Sequence, residues 1–300
     1  MSSTNGIPEK QNDDDSIELL AAVSQFYGYA KITMAVQVVL TILLPVTASV
    51  FTLFSPNFKI WATFIGVTVT WLDVLLIDRI QIHFRKRGAL LQEQFDLHLF
   101  DLPWNELRVG KQIETEEIHR AAARFLKSTS AEKLHNWYPS SIGDLPLGTA
   151  RIVCQRACLW WDTSQRRQYG YWLTGIVSSA ILTLWTFSFA KGLSLTDLTL
   201  SVYAPIAPAI IWAIREARRQ KDASDGLEKA RTFVDSVIKR LRCKNIQDEE
   251  LFTLTRQIQD TLFDNRSKNP LIFDWIYHLL RSEREVAMTK AAAKFTSELL

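Results

Sequence analysis

Two cysteines four residues apart, Cys154 and Cys158, lie in the segment "RIVCQRACLWWDTSQRRQYGYWLTG" (151–175), among four arginines and three tryptophans. On a helix that spacing puts both thiols on one face, where they could share a metal. A structural zinc site needs four ligands, however, and no second pair of Cys or His follows at a matching spacing. Two small, polarisable packing residues are the plainer reading. The five histidines, His83, His98, His119, His135 and His278, are scattered. The chain has no phosphate-cradling glycine loop, no Gly-x-Ser-x-Gly elbow and no His-Glu-x-x-His helix. No catalytic constellation, metal or cofactor is therefore expected. The odd cysteine, Cys243, also lies in a charged segment, which suits a reducing compartment rather than a disulfide framework.

Four segments, that of Cys154 and Cys158 included, mix aromatics, amides, acids and arginines: "LQEQFDLHLFDLPWN", "HNWYPSSIGDLPLG", "RIVCQRACLWWDTSQRR" and "TRQIQDTLFDNRSKNPLIFDWIYHLLR". A nucleotide site needs flat faces for bases, amides for their edges and guanidinium forks for phosphates. All of these types are present. The same types also serve as headgroup-level anchors and as plain Arg–Asp pairs, so both readings stay open at this point.

What must position these clusters is decided by hydropathy. The chain has 300 residues and a formal net charge of only +3, but its apolar residues are unevenly spread. No charge occurs between Lys31 and Lys59, only Asp73 between Lys59 and Asp78, none between Arg167 and Lys191, and none between Asp197 and Arg215. A helix needs about 20 apolar residues to cross the hydrocarbon core, so these runs predict four transmembrane helices in two hairpins. Lys and Arg crowd the segments after the second span, before the third and after the fourth, while the hairpin loops offer only Lys59 and Lys191. By the positive-inside rule both termini are cytoplasmic. No cleaved signal peptide is expected, because the first apolar run begins late and follows the acidic "QNDDDSIE".

The remaining segments carry helical periodicity, for example Leu251, Leu254, Ile258 and Leu262, and none alternates as a strand. The expectation is an all-α, polytopic membrane protein with a helical cytoplasmic domain. Its parts are an N-terminal tail and amphipathic helix (1–30), hairpin 1 (31–79), a cytoplasmic segment (80–168), hairpin 2 (169–214) and a C-terminal cytoplasmic segment (215–300). Inside the membrane, Gln37, Thr70 and Asp73 form polar stripes that either line a wet path or hold helices together.

Taken in order, "QEQFD", "LPWN", "NWYP", "CQRA" with "WWD" and "RR", "RQIQD", "NR" and "FDWIY" resemble the S-4TM family of bacterial pore-forming effectors, over nearly the whole chain. That resemblance implies a role in antiphage defence of the cyclic-oligonucleotide type (CBASS). A nucleotidyltransferase of the CD-NTase class makes a cyclic messenger, and the effector then assembles and permeabilises the bacterial inner membrane, ending the infection with the cell. It implies a cyclic oligonucleotide, the lipid bilayer and further copies of the chain as partners, and no DNA or RNA. On this reading Arg156, Arg256 and Arg266 hold phosphates, and Trp104, Trp137 and Tyr138 stack on bases. Asn105 and Asn136 read base edges, and Trp160 and Trp161 sit where the ligand and membrane states meet. Two alternatives stay open: a membrane-anchored signalling scaffold and a small channel without nucleotide control.

Overall fold

The structure, a computed structural model, describes residues 5–44, 47, 59–190, 192, 194, 196 and 204–300, and the side chains of Thr63, Thr70 and 274–282 are among those outside the description. All regular structure among the described residues is helical.

A short helix α1 (Ile7–Lys10) precedes α2 (Asp14–Val38). The Asp13 carboxylate starts α2 by accepting the Ser16 N–H at 2.7 Å, with Asp14 and Asp15 adding negative charge at the positive end of the helix dipole. A π-helical turn, Val39–Leu43, carries α2 onward, so the boundary drawn at residue 30 falls inside one unbroken helix. Gly28 costs such a helix only about 1 kcal/mol, which the burial of Leu20, Ala21, Ala22 and Phe26 outweighs. Similarly, α3 (Lys59–Leu72), a π-helical turn (Asp73–Ile77) and α4 (Asp78–Phe100) form one rod. It ends at Asp101, which adopts the left-handed conformation (φ 47°) while the Leu102 N–H reaches the Leu97 carbonyl, a Schellman closure sealed by Pro103.

Helices α5 (Glu106–Val109) and α6 (Thr115–Leu126) and two short 3₁₀ turns, Ala131–Leu134 and Ser140–Asp144, fill the segment before α7 (Leu147–Ala190). Proline-free α7 has 44 residues and is about 66 Å long. It packs along α8 (Ala204–Arg242), which passes Gly226 without a break. Helices α9 (Asp248–Lys268) and α10 (Asp274–Leu299) complete the helical domain.

One core joins α2, α4, the 3₁₀ turns and the start of α7, around Leu20, Leu91, Phe95, Phe100, Ile142 and Leu145. A second joins α7, α8 and α9, around Ile152, Leu159, Leu227, Val234 and Ile238. Two glycines stand at close approaches: a Cβ at Gly88 would meet the Tyr27 ring at 3.2 Å, and one at Gly148 would meet Leu251 Cδ2 at 2.8 Å, so that the Leu251 side chain would have to shift.

The other ends of these helices are built the opposite way. Trp61, Phe64, Trp71, Leu75 and Leu76 on the 59–77 stretch, and Tyr171, Ile176, Leu182, Trp185 and Phe189 on distal α7, point outward, Phe189 being 76% exposed. Ile32, Val36, Val39 and Leu43 do the same at the end of α2, and Ile211 and Ile214 on α8. Among the described residues one helix, Asp14–Leu43, is long and apolar enough to cross a membrane by length and composition.

Candidate functional site

The segments singled out in the sequence converge on one buried polar network between α4, α7, α9 and the 136–138 loop. Glu93 and Asp96, three apart on α4, are fully buried. Arg256 on α9 donates to Glu93 Oε1 at 2.6 Å, and Arg266, ten residues further on, donates to Asp96 Oδ2 at 2.5 Å. Gln259 lies between them and bridges the two acids, donating to Glu93 Oε2 at 2.8 Å and Asp96 Oδ2 at 2.9 Å. Gln155 of α7 in turn donates to Gln259 Oε1 at 3.1 Å and to the Thr255 carbonyl at 2.9 Å. The buried Tyr138 hydroxyl donates to the other oxygen of Asp96 at 3.0 Å and lies 3.3 Å from Cys158 Sγ. At the rim, Asn105 donates to Asp260 Oδ2 at 3.0 Å, and Asp260 also accepts from Arg256 at 2.9 Å.

Burial sets the electrostatics. It pushes the Glu93 carboxyl above its ordinary value, against the pull of Arg256 and Gln259. Burial also lifts the Tyr138 hydroxyl and the Cys158 thiol, and for Tyr138 the Asp96 charge adds to it. For Arg266 burial opposes the charge, but Asp96 reverses this and holds the guanidinium protonated well beyond its usual range. Each guanidinium is thus matched to a carboxylate, the condition under which charges persist out of water.

Not every expected site residue joins this network. Trp137 is half exposed and meets the Phe95 ring edge-to-face at 6.2 Å. Trp104 packs against the first core and donates its indole N–H to the Gly110 carbonyl at 2.7 Å. Asn136, in the left-handed region at φ 55°, exchanges hydrogen bonds with Asn12. Arg156 faces the other side of α7, bonded to Asp235 at 2.5 Å and stacked 4.4 Å over the Phe295 ring. Together with Trp160 and Met288 it lines a cavity of about 200 Å³ between α7 and α10. That is below the ~300 Å³ at which small-molecule pockets begin. Trp161 is half-buried on the same helix. Cys154 is buried in the first core, and burial raises its thiol well above the usual range.

A family model described as the SMODS-associating 4TM effector domain matches residues 5–295. The chain belongs to that family. A Bacillus cereus (strain VD146) protein described as a probable CBASS effector molecule is 27% identical over 297 residues, 97% of this chain and 98% of its own length. No solved structure matches the chain.

In this SMODS-associating 4TM effector the sequence reading had named the cations of the network, Arg256 and Arg266, but not the acids that hold them. The signal was available, since Glu93 and Asp96 sit on one helix face three apart, and Arg256, Gln259 and Arg266 share a face of α9. At the apolar end of the effector, Gln37 donates its side-chain amide to Asp73 Oδ1 at 2.7 Å, joining α2 to the π-helical turn of the 59–100 rod. The Thr70 side chain lies outside the described residues.

Proposed function

We propose that this chain is the membrane-permeabilising effector of a cyclic-oligonucleotide antiphage system of the CBASS type. The coarse role, an effector of antiphage defence, follows from its family. In the fuller reading, four apolar segments cross the bacterial inner membrane as two hairpins with both termini in the cytoplasm. A cyclic oligonucleotide made by a CD-NTase binds the helical domain, copies of the chain assemble, and the membrane loses its barrier.

The observation that carries this reading is the two-ended build of the long helices. Each of α7 and the 59–100 rod is packed into a polar-centred core at one end and turns tryptophan, phenylalanine and leucine outward at the other. Soluble monomers rarely expose apolar patches of that extent, whereas lipid covers them without penalty. A binding event in the core is therefore joined by unbroken backbone to lipid-facing segments.

Arg256 and Arg266 are the best phosphate holders in this reading, but both are occupied by Glu93 and Asp96. A messenger can shift the equilibrium only through its higher affinity for a second state. The site is therefore completed when the network opens or when a second copy supplies further donors, with Asn105 and Trp137 at its rim.

The test is leakage from dye-loaded vesicles of E. coli polar lipid carrying the full chain, on addition of cyclic diguanylate, cyclic GMP–AMP or cyclic triadenylate. Release with at least one of them, lost in a double Arg256→Ala, Arg266→Ala variant that still inserts, is the expected result. Release without any nucleotide would favour an unregulated channel. Intact vesicles throughout would favour a scaffold and sink the effector mechanism.

A further inference from the structure

Among the described residues a hydrogen bond ties the first two apolar segments together, from the Gln37 amide to Asp73 Oδ1 at 2.7 Å. Resting on the function just proposed, we infer that Asp73 is the ion-selecting group of the open assembly, taking hydrated monovalent cations, and that Gln37 is the latch occupying it in the closed form.

Three observations point there. The first is the kind of partner. Glu93 and Asp96, on the same rod, each receive a guanidinium. Asp73 receives a neutral amide on one oxygen; the charges of Arg215 and Asp78 act on it from a distance with opposite signs, but among the described residues no Lys or Arg forms an ion pair with it. An acid in an apolar segment costs several kcal/mol unless it faces water, an ion or another copy.

The second is backbone geometry. The π-helical turn Val39–Leu43 begins two residues after Gln37, and Asp73 itself opens the other, Asp73–Ile77. Such turns are rare and gather at functional positions, since they loosen the hydrogen-bond ladder and let a helix change register. Here both lie beside the Gln37–Asp73 link between the two helices, so breaking that link and re-registering them are a single movement.

The third is what surrounds the pair. The Thr33 and Thr41 hydroxyls donate back to the Tyr29 and Gln37 carbonyls of their own helix at 2.9 and 2.7 Å. Of the Thr33, Gln37 and Thr41 stripe, the Gln37 amide is the group that reaches across. In an assembly of identical copies, each freed Asp73 contributes one carboxylate to a ring, the arrangement by which cation pathways select against anions.

The experiment is a reversal-potential measurement in planar bilayers under a KCl gradient. It uses the full chain, opened by whichever of cyclic diguanylate, cyclic GMP–AMP or cyclic triadenylate releases dye from vesicles. Wild type is expected to favour K⁺ over Cl⁻, and Asp73→Asn to lower that permeability ratio by about fivefold, the factor a unit-charge contact in water supplies. Asp73→Glu should keep it. Gln37→Leu should open at lower nucleotide concentration with the ratio unchanged. An Asp73→Asn assembly with the wild-type ratio, or a wild type without preference, overturns the inference while leaving the effector function standing; unaltered opening of Gln37→Leu overturns the latch. If Asp73→Asn fails to insert, Asp73→Glu against Asp73→Gln reads the same ratio. Wild-type vesicles that stay sealed with every probe overturn the effector function itself and this inference with it.

Discussion

One helical rod, 59–100, takes three carboxylates out of bulk water and treats them in two ways. Near its C-terminal end Glu93 and Asp96 are enclosed by Arg256, Arg266, Gln259 and the Tyr138 hydroxyl. Near its apolar end Asp73 has one described partner, an amide. The first pair is cross-linked in charge and hydrogen bonds, and removing any member strands another. The second can be released by moving one neutral side chain. A buried acid with a matched cation marks where the fold is fixed, and one with a weak partner marks where it is free to change.

The sharpest way to break this comparison is to remove an acid from each end. Asp96→Ala strands Arg266 and should cost about 3–5 kcal/mol, read as a lower urea midpoint for the detergent-solubilised chain. Gly148→Ala tests packing rather than charge. Its new methyl would press on Leu251 Cδ2, and about 1–3 kcal/mol should be lost in the same assay. Asp73→Asn keeps an acceptor for Gln37 and removes a charge from an apolar segment, so it should leave stability unchanged or raised; a loss as large as that for Asp96→Ala would make the two ends alike.

A smaller effect comes from Glu93. Because burial raises its carboxyl in the folded chain, folding takes up a proton between its unfolded value, about 4.5, and the higher folded one. That contribution is full below about pH 4.5 and is lost as pH rises through the folded value, so Glu93→Gln should flatten the fall of stability across that window. Thiol labelling at pH 7 sharpens the picture without any substitution. Exposed Cys243 should react with iodoacetamide fastest, half-buried Cys158 with its raised thiol far more slowly, and buried Cys154 only once the core opens.

The all-helical class was legible because apolar residues recur at helical spacing and no segment alternates. The end of α4 was legible too, since "DLPWN" carries a proline where the chain must turn. The continuity of α2 was not, because the amphipathic pattern of residues 16–30 gives way to an unbroken apolar run at Lys31, and a change of pattern does not say whether the backbone breaks there. Of the candidate site, the segments that come together were readable as clusters of unusual types. Their mutual neutralisation was not, because Glu93 and Arg256 are 163 residues apart and a single sequence does not say which acid faces which arginine. Arg156 illustrates the converse. Its neighbours in sequence join the network, yet a step of one residue along α7 turns it by about 100° onto Asp235 and Phe295.

The length of α7 has a mechanical corollary. A proline-free rod of about 66 Å, clamped over its first half by Ile152, Leu159 and their partners, behaves as a lever arm pivoting near Arg166. A tilt of about 5° about that pivot would sweep the far end, about 36 Å away, by about 3 Å, roughly the width of a water molecule. A rotation of the packed half of α7 would thus be delivered, without loss along an unbroken backbone, to the outward-facing Trp185 and Phe189.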